Sequence, residues 1–424
     1  MSSARRIGFM VAFAAAASSS AAGQAKPRAR DLGIPLDGTP GPNNAITDVA
    51  GVEVGYTTLI RGEGKRIIGQ GPVRTGVTAI LPRGKATLEP VFAAFYAGNG
   101  NGDMTGTHWI EETGVLETPI MITNTLSVGT VRDAVVDWMV KRNAPGPFWY
   151  PVVAETSDGG LNDMKGLHVK AEHAFQALEA ARAGTIAEGN VGGGTGMNCH
   201  GFKGGTGTAS RVLAQTDGGY TIGVLVQCNY GTRSQLRVAG IPVGREVKDV
   251  DPCVEQLIDP PLKAFDGSPI PLCPPLAHPP TRPSVPPPAE APEQGSIIIV
   301  AGTDAPLSPD QLKRMVRRVA LGLGRMGSIN GNGSGDIFIA FSTANRGVDW
   351  GNSGRSTLPP PTMTRLGSGL MDPIFTATIE ATEEAILNAL VAAETMTGAD
   401  YRRSWALPHD QVRAILAKYN RLVR

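Results

Sequence analysis

The chain has 424 residues, enough for two or three domains on length alone, although larger single domains are common. Thirty-nine Lys and Arg against 38 Asp and Glu leave a formal net charge of +1, so no electrostatic case exists for nucleic acid, which recruits a clustered basic face. Fifty-four glycines with 5% aromatics point to backbone-rich turns and close-packed loops, and no apolar run reaches the ~20 residues that a bilayer-spanning helix needs.

At the N-terminus, Arg5 and Arg6 precede an apolar run (7–17) and then small residues suited to cleavage. That order predicts a secretory signal over residues 1–25, cut near Ala22 or Ala25, and an exported product, periplasmic or secreted. The arginine pair also admits a twin-arginine route. Beyond it, residues 46–59 alternate apolar and polar positions like a strand, and the short apolar runs 76–82, 118–123, 151–155 and 220–228 read as further strands. Two helical patterns interrupt them, at 131–142 and at 168–183, the second closed by Gly184 as a C-terminal cap. His168 and His173 lie in that second pattern at a spacing that sends them to different faces. Cys199, Cys228, Cys253 and Cys273 have no C-x-x-C spacing, which argues against a zinc knuckle. In an exported protein some could pair, and Cys253 with Cys273 closes the easiest loop; buried free thiols fit the spacing equally well.

Residues 271–292 (PLCPPLAHPPTRPSVPPPAEAP) cannot supply ladder hydrogen bonds or a core, and read as an exposed polyproline-like linker. The segment after this linker is well patterned. SIIIVAG suits a strand covered on both faces. Ser308, Pro309 and Gln311 supply an N-cap, a first-turn proline and a capping-box partner, and apolar positions 312, 315, 316, 319 and 323 share one helical face. DIFIAFS (336–342) is a second buried-type strand, and 382–397 a helix stopped by Gly398. Strand, helix, strand, helix in this order suggests a layered α/β or α+β domain.

Several tempting motifs fail on their chemistry. GEGKR (62–66) lacks the Ser or Thr that follows the lysine of a phosphate loop. GNGSG (331–335) carries its serine one position late for a nucleophile elbow. GNVGGGTG (189–196) has no preceding strand to make a dinucleotide fingerprint. The six histidines form no metal-ligand pair, and a Ser-His-Asp triad finds no support.

That leaves Ser296, at the junction EQGSIIIV. A serine at the start of a strand needs no chemistry to explain it. Cut the chain between Gly295 and Ser296, however, and the serine gains a free α-amine with a pKa of about 7.7–8.0, a fitting general base beside its own hydroxyl. The cut could use the same hydroxyl on the preceding carbonyl, through an N→O acyl shift and hydrolysis of the ester. Glycine at 295 tolerates the backbone strain of that attack.

The stretch GSIIIVAGTDAPLSPDQLKRMVRRVALGLGRMGSINGNGSGDIFIAFSTAN (295–345) strongly resembles the DmpA/BapA family of L-aminopeptidase D-Ala-esterase/amidases and β-peptidyl aminopeptidases. The likeness continues upstream through NAITDVAGVEVGYTTL, GNGNGDMTGTHWIEETGVLETPIMITNTLSVGTVRDAV, PVVAETSDGGLND and GNVGGGTGMNCHGFKGGTGTASR, in the family's order. The resemblance implies an α+β fold, a four-layer αββα sandwich like that of N-terminal-nucleophile hydrolases, with the connectivity shared with ornithine acetyltransferase. It implies self-cleavage into an α chain (26–295, carrying the 271–292 linker) and a β chain (296–424) of one catalytic domain, with Ser296 as nucleophile. Ser334 and Asp336 would support its amine, Asn229 would stabilise the oxyanion, and Glu155 would bind the substrate's ammonium group. No cofactor or metal is implied. The expected partners are short peptides, amides or esters with a free amino group, of β-, D- or L-residues, and other αβ units in a tetramer; nucleic acid and membrane are not expected. Two departures stand out. Ser157 occupies a position where some members carry a tyrosine near the oxyanion, and the acidic residue at 336 is Asp where others have Glu. The rival readings are an acyltransferase of the ornithine acetyltransferase architecture, which uses an N-terminal threonine, and a non-catalytic secreted binding module.

Overall fold

The computed structural model describes residues 26–263, 269–274, 293–348 and 362–423. The signal at 1–25 and most of the proline-rich stretch lie outside the described residues. Two sheets dominate. The first has the order β1 (Glu53–Arg61), β2 (Val73–Leu81), β5 (Ile120–Asn124), β6 (Val152–Thr156). The second runs β4 (Val115–Leu116), β3 (Val91–Ala97), β13 (Gly333–Ser342), β12 (Gln294–Thr303), β10 (Thr221–Tyr230), β9 (Gly205–Val212). A small sheet joins β11 (Cys253–Val254), β15 (Arg402–Ser404) and β14 (Met396–Thr397), and β7 (Asn198–Cys199) pairs with β8 (Phe202–Lys203).

The strands that open the last third of the chain therefore sit at the centre of the larger sheet. β12 is parallel to β13 and antiparallel to β10, and β13 is antiparallel to β3. A continuous apolar run is what such a position demands, since residues on both faces of the strand are buried: Ile297 and Ile299 on one, Ile298 and Val300 on the other. Each such side chain contributes about 1.5–3 kcal/mol by leaving water.

The layers are set by which face packs on what. Ile80, Ile120 and Val152 of the first sheet meet Leu225, Ile298 and Ile339 of the second in the core between the sheets. Helices α2 (Val128–Lys141) and α3 (Ala171–Glu179) cover the outer face of the first sheet. Helices α5 (Pro309–Arg325) and α6 (Met371–Val391) cover the outer face of the second. The result is the expected four-layer αββα sandwich. Three short helices, α1 (Thr107–Thr113), α4 (Val243–Glu246) and α7 (His409–Lys418), flank it.

The capping box of Ser308 and Gln311 opens α5 as the sequence foretells, with Pro309 in the first turn. Other boundaries shift for identifiable reasons. Residues 46–48 form a 3₁₀ turn, because the Asp48 carboxylate accepts the N–H groups of Asn43 and Ala45; the strand starts at Glu53. The helix expected over 168–183 spans Ala171–Glu179. His173 accepts the Lys170 N–H at its start, and beyond its end Arg182 exchanges hydrogen bonds with Val54 at the edge of the first sheet. His168 lies outside the helix, 2.8 Å from Asp163, and Gly184 caps nothing. α6 starts at Met371, eleven residues before the pattern suggested, where Thr378 and Thr382 return their hydroxyls to carbonyls one turn back. It stops at Val391 because residues 396–397 join the small sheet, so Gly398 ends no helix. All four cysteines are paired, Cys253 with Cys273 as the loop suggested and Cys199 with Cys228.

Candidate active site

The site is assembled where β10, β12 and β13 begin or end together. Ser296 pairs with Asn229 across the antiparallel ladder and with Gly335 across the parallel one. Direct partners in a ladder share a face, and alternation sets that face: Ser296 is in phase with Ile298, and Asn229 with Leu225, both in the core between the sheets. Hydroxyl and carboxamide therefore sit side by side at the rim of that core, each 6% exposed.

Gly295 has φ +99°, a conformation that favours glycine, and a Cβ there would overlap the carbonyl oxygen of Asn229. The ladder thus requires the residue that self-cleavage also favours. Asn229 is fixed in orientation: its Oδ1 accepts the backbone N–H of Asn198 at 2.9 Å, which leaves Nδ2 as the donor.

Ser334 and Asp336 are buried, and the Ser334 hydroxyl donates to Asp336 at 2.5 Å. Alternation sends both side chains to the face opposite Ser296, in phase with Ile297. Their link to Ser296 runs through the backbone, since Asp336 is the ladder partner of Ile297, the next residue along β12. Burial pushes the Asp336 carboxyl up to about 6; the bond from Ser334 opposes this and the negative charge of Glu293 adds to it.

Glu155 comes from the other sheet, at the end of β6, which lies against β12. Its carboxylate accepts the Asp103 N–H at 3.1 Å and the hydroxyl of Thr125. Burial pushes its pKa up, against those two hydrogen bonds. A buried carboxylate with so few donors is suited to a cation that would bring a compensating charge.

One loop holds the two halves together. In GNGNGD (98–103), Asn99 donates from Nδ2 to Asp336 Oδ2 at 3.1 Å and accepts the Asp336 N–H at 2.6 Å. Asn101 reaches the Gly333 carbonyl, and Asp103 gives its N–H to Glu155. Close packing of Gly102 on Gly335 leaves no room for a Cβ on Gly335, which would overlap the Asn101 carbonyl.

The family description "Peptidase family S58" matches residues 44–404. The chain belongs to peptidase family S58. It is 54% identical over 396 residues to the β-peptidyl aminopeptidase BapA of Sphingosinicella microcystinivorans, covering 93% of each chain. Among solved structures, a Burkholderia sp. β-aminopeptidase is 44% identical with a TM-score of 0.78, over 92% of this chain and 99% of that one. The L-aminopeptidase D-Ala-esterase/amidase of Ochrobactrum anthropi, described as a variant of the Ntn hydrolase fold, is 43% identical with a TM-score of 0.78, over 94% and 100%. This S58 protein is accordingly a hydrolase of the aminopeptidase type, and the reading as a non-catalytic binding module falls away.

Of the candidate residues, Ser296, Asn229, Gly295, Ser334 and Asp336 gather around one strand end, and Glu155 faces it from the neighbouring sheet. Ser157 is exposed, its hydroxyl 3.9 Å from Met164 Sδ. The supporting groups Asn99, Thr125 and Asn198 give no individual signal in the sequence, although all three lie inside motifs that carry the resemblance.

Proposed function

We propose that the chain is an exported, self-processing aminopeptidase of the β-peptidyl type, cut between Gly295 and Ser296 and using Ser296 as an N-terminal nucleophile. The observation that carries the reading is the pairing of Ser296 with Asn229, hydroxyl beside carboxamide at the rim of the core. In turnover, the free α-amine takes the Ser296 hydroxyl proton, Oγ attacks the scissile carbonyl, and Asn229 Nδ2 donates to the developing oxyanion. The amine then returns the proton to the leaving amino group, and water releases the N-terminal residue from its ester. Asp336, held by Asn99 and Ser334, orients the amine as the third member of a triad orients its base. Glu155 receives the substrate's ammonium and so restricts cleavage to the first residue. The β-residue preference rests on likeness to relatives so named, and D- or L-residues, amides and esters belong to the same reading. Assembly of αβ units into a tetramer and one catalytic domain made of both chains are part of the proposal.

Release of p-nitroaniline from β-alanyl p-nitroanilide, compared with its N-acetyl derivative, tests the exopeptidase assignment. Glu155→Gln should lower kcat/KM on the free-amino substrate by about 10²-fold, the cost of an unpaired buried charge, while the acetylated compound stays unhydrolysed by either protein. Unchanged kinetics would remove Glu155 from substrate binding. Acetyl exchange between acetylornithine and glutamate, if found at a comparable rate, would favour the acyltransferase instead.

The pH profile offers a second check. Both the amine and Asp336 act deprotonated in this mechanism, so kcat/KM should rise with pH through a step near 6 and another near the amine's pKa of about 7.7–8.0. A single step near 8, unaltered by Asp336→Asn, would mean that ionisation of Asp336 plays no part in turnover.

A further inference from the structure

Three residues before Ser296, the side chain of Glu293 is 3% exposed, and the turnover mechanism gives it no task. Its carboxylate is fully engaged. Oε2 accepts the Ile329 N–H at 2.9 Å and Gln235 Nε2 at 3.2 Å, and Oε1 accepts the Ser328 hydroxyl. Gln235 comes just after β10, and residues 328–329 lead into β13. The donors thus come from the segments that adjoin β10 and β13, the two neighbours of β12 in the sheet. Close approach secures the brace, because a Cβ on Gly331 would overlap the Glu293 side chain.

We propose that Glu293 is the positioning residue for self-cleavage: it braces the continuous chain against the segments that adjoin both neighbouring strands, so that the Gly295 carbonyl is held for attack by Ser296, and it has no direct role in later turnover. The inference rests on the proposed cut at Gly295–Ser296. The attack closes a five-membered ring through Oγ, Cβ, Cα, N and the Gly295 carbonyl carbon, which twists the peptide out of its relaxed geometry. A loose chain end would follow the twist and lose the alignment. Here the downstream side is fixed by the buried strand from Ile297 onward, and the upstream side by Glu293. Gln294 and Gly295 between them stay in register with Gly333 and Ser334.

In the cut, Ser296 Oγ gives up its proton and bonds to the Gly295 carbon; the C–N bond breaks and the nitrogen takes a proton to become the free amine. Water then adds to the ester, and its hydrolysis leaves a Gly295 carboxylate and restores the serine hydroxyl. The new carboxylate appears beside two others, Glu293 and Asp336, whose charges already oppose one another. That repulsion favours departure of the α-chain end and opens the site.

The test tracks processing and turnover separately. Wild type, Glu293→Ala, Ser328→Ala and Ser296→Ala are made by cell-free synthesis, and conversion of precursor to two chains is timed by intact mass. Glu293→Ala should slow conversion about tenfold or more, the worth of charge-assisted hydrogen bonds lost at a strained step. Ser328→Ala should slow it less. Measured at a pH above both steps of the profile, where Asp336 is ionised with or without the charge of Glu293, the matured fraction of each should keep kcat and KM within about twofold of wild type, a split that a general loss of structure would not give. Thermal unfolding of Ser296→Ala with and without Glu293→Ala checks that the uncut chain still folds; if the double variant does not fold, the Ser328→Ala rate decides. Equal conversion rates, or a normal rate with reduced kcat, would overturn the role of Glu293. An uncut wild type would instead sink the proposed cut itself.

Discussion

Ser296→Ala should give a single uncut chain with no measurable aminopeptidase turnover, while wild type separates into two chains, the smaller beginning at Ser296. One substitution removes two reactions because a single hydroxyl would serve both. Without it no ester forms at Gly295, so the α-amine is never released, and the variant lacks nucleophile and base together. Losing a nucleophile from a serine hydrolase costs about 10⁶-fold in kcat, which brings p-nitroaniline release to background. Intact mass and activity on the same preparations separate the outcomes. A variant that is uncut yet active would place the nucleophile elsewhere. A wild type that is uncut and active would show that the Gly295–Ser296 peptide is an ordinary part of β12, held in the ladder between β10 and β13. Alanine in place of Ser296 is a small change to the fold, since it removes a single oxygen atom and adds no bulk at a buried position that is 6% exposed.

Much of the architecture was legible because burial writes a clear pattern. Ile297 to Ala301 are apolar without interruption, and a run of that length suits a strand covered on both faces; its central place between β13 and β10 agrees with that. The Ser308–Gln311 box marked the start of α5 to the residue. What escaped was set by partners far along the chain. The helix after Lys170 ends short because Arg182 hydrogen-bonds Val54, a contact across more than a hundred residues that no local signal announces. α6 extends through Thr378 and Thr382, residues of modest helix propensity, because both hydroxyls find carbonyls within the helix and the surface there is buried.

The site divides along the same line. Ser296, Ser334, Asp336, Asn229 and Glu155 were named from motifs, yet nothing in the motifs says how they are held. Asn99 supplies two of the bonds to Asp336, and it reads in the sequence as one more asparagine in a glycine-rich turn. Thr125 follows the apolar run 118–123 with no signal of its own, and acts through its hydroxyl on Glu155. The support of Asn229 by Asn198 is a backbone donor, so no side-chain pattern could reveal it. The signal available for all three was their presence in long motifs shared with the family, which marks a segment as important without saying which atom matters.

Asn229→Ala should lower kcat by about 10²–10³-fold, the usual cost of one oxyanion donor, with KM little changed. The split comes from when the interaction forms. The ground-state carbonyl needs little from Nδ2, whereas the tetrahedral oxyanion gains charge within reach of it, so the loss falls on the transition state. Orientation is what makes this amide a donor. If the carboxamide could flip, half of its states would present Oδ1 to the oxyanion and repel it; the Asn198 N–H, at 2.9 Å from Oδ1, holds it one way. That N–H is itself fixed, because Cys199, next to Asn198, is joined by a disulfide to Cys228, next to Asn229. The isosteric Asn229→Asp therefore separates shape from hydrogen-bond sense. It keeps the acceptor for Asn198 and replaces the donor by an anionic oxygen, so its kcat should fall at least as far as that of Asn229→Ala. Steady-state kinetics on β-alanyl p-nitroanilide with all three proteins makes the comparison, after intact mass has shown that each has been cut. An Asn229→Asp enzyme close to wild type would mean that the oxyanion is stabilised by other donors and that Asn229 serves the ladder beside Ser296.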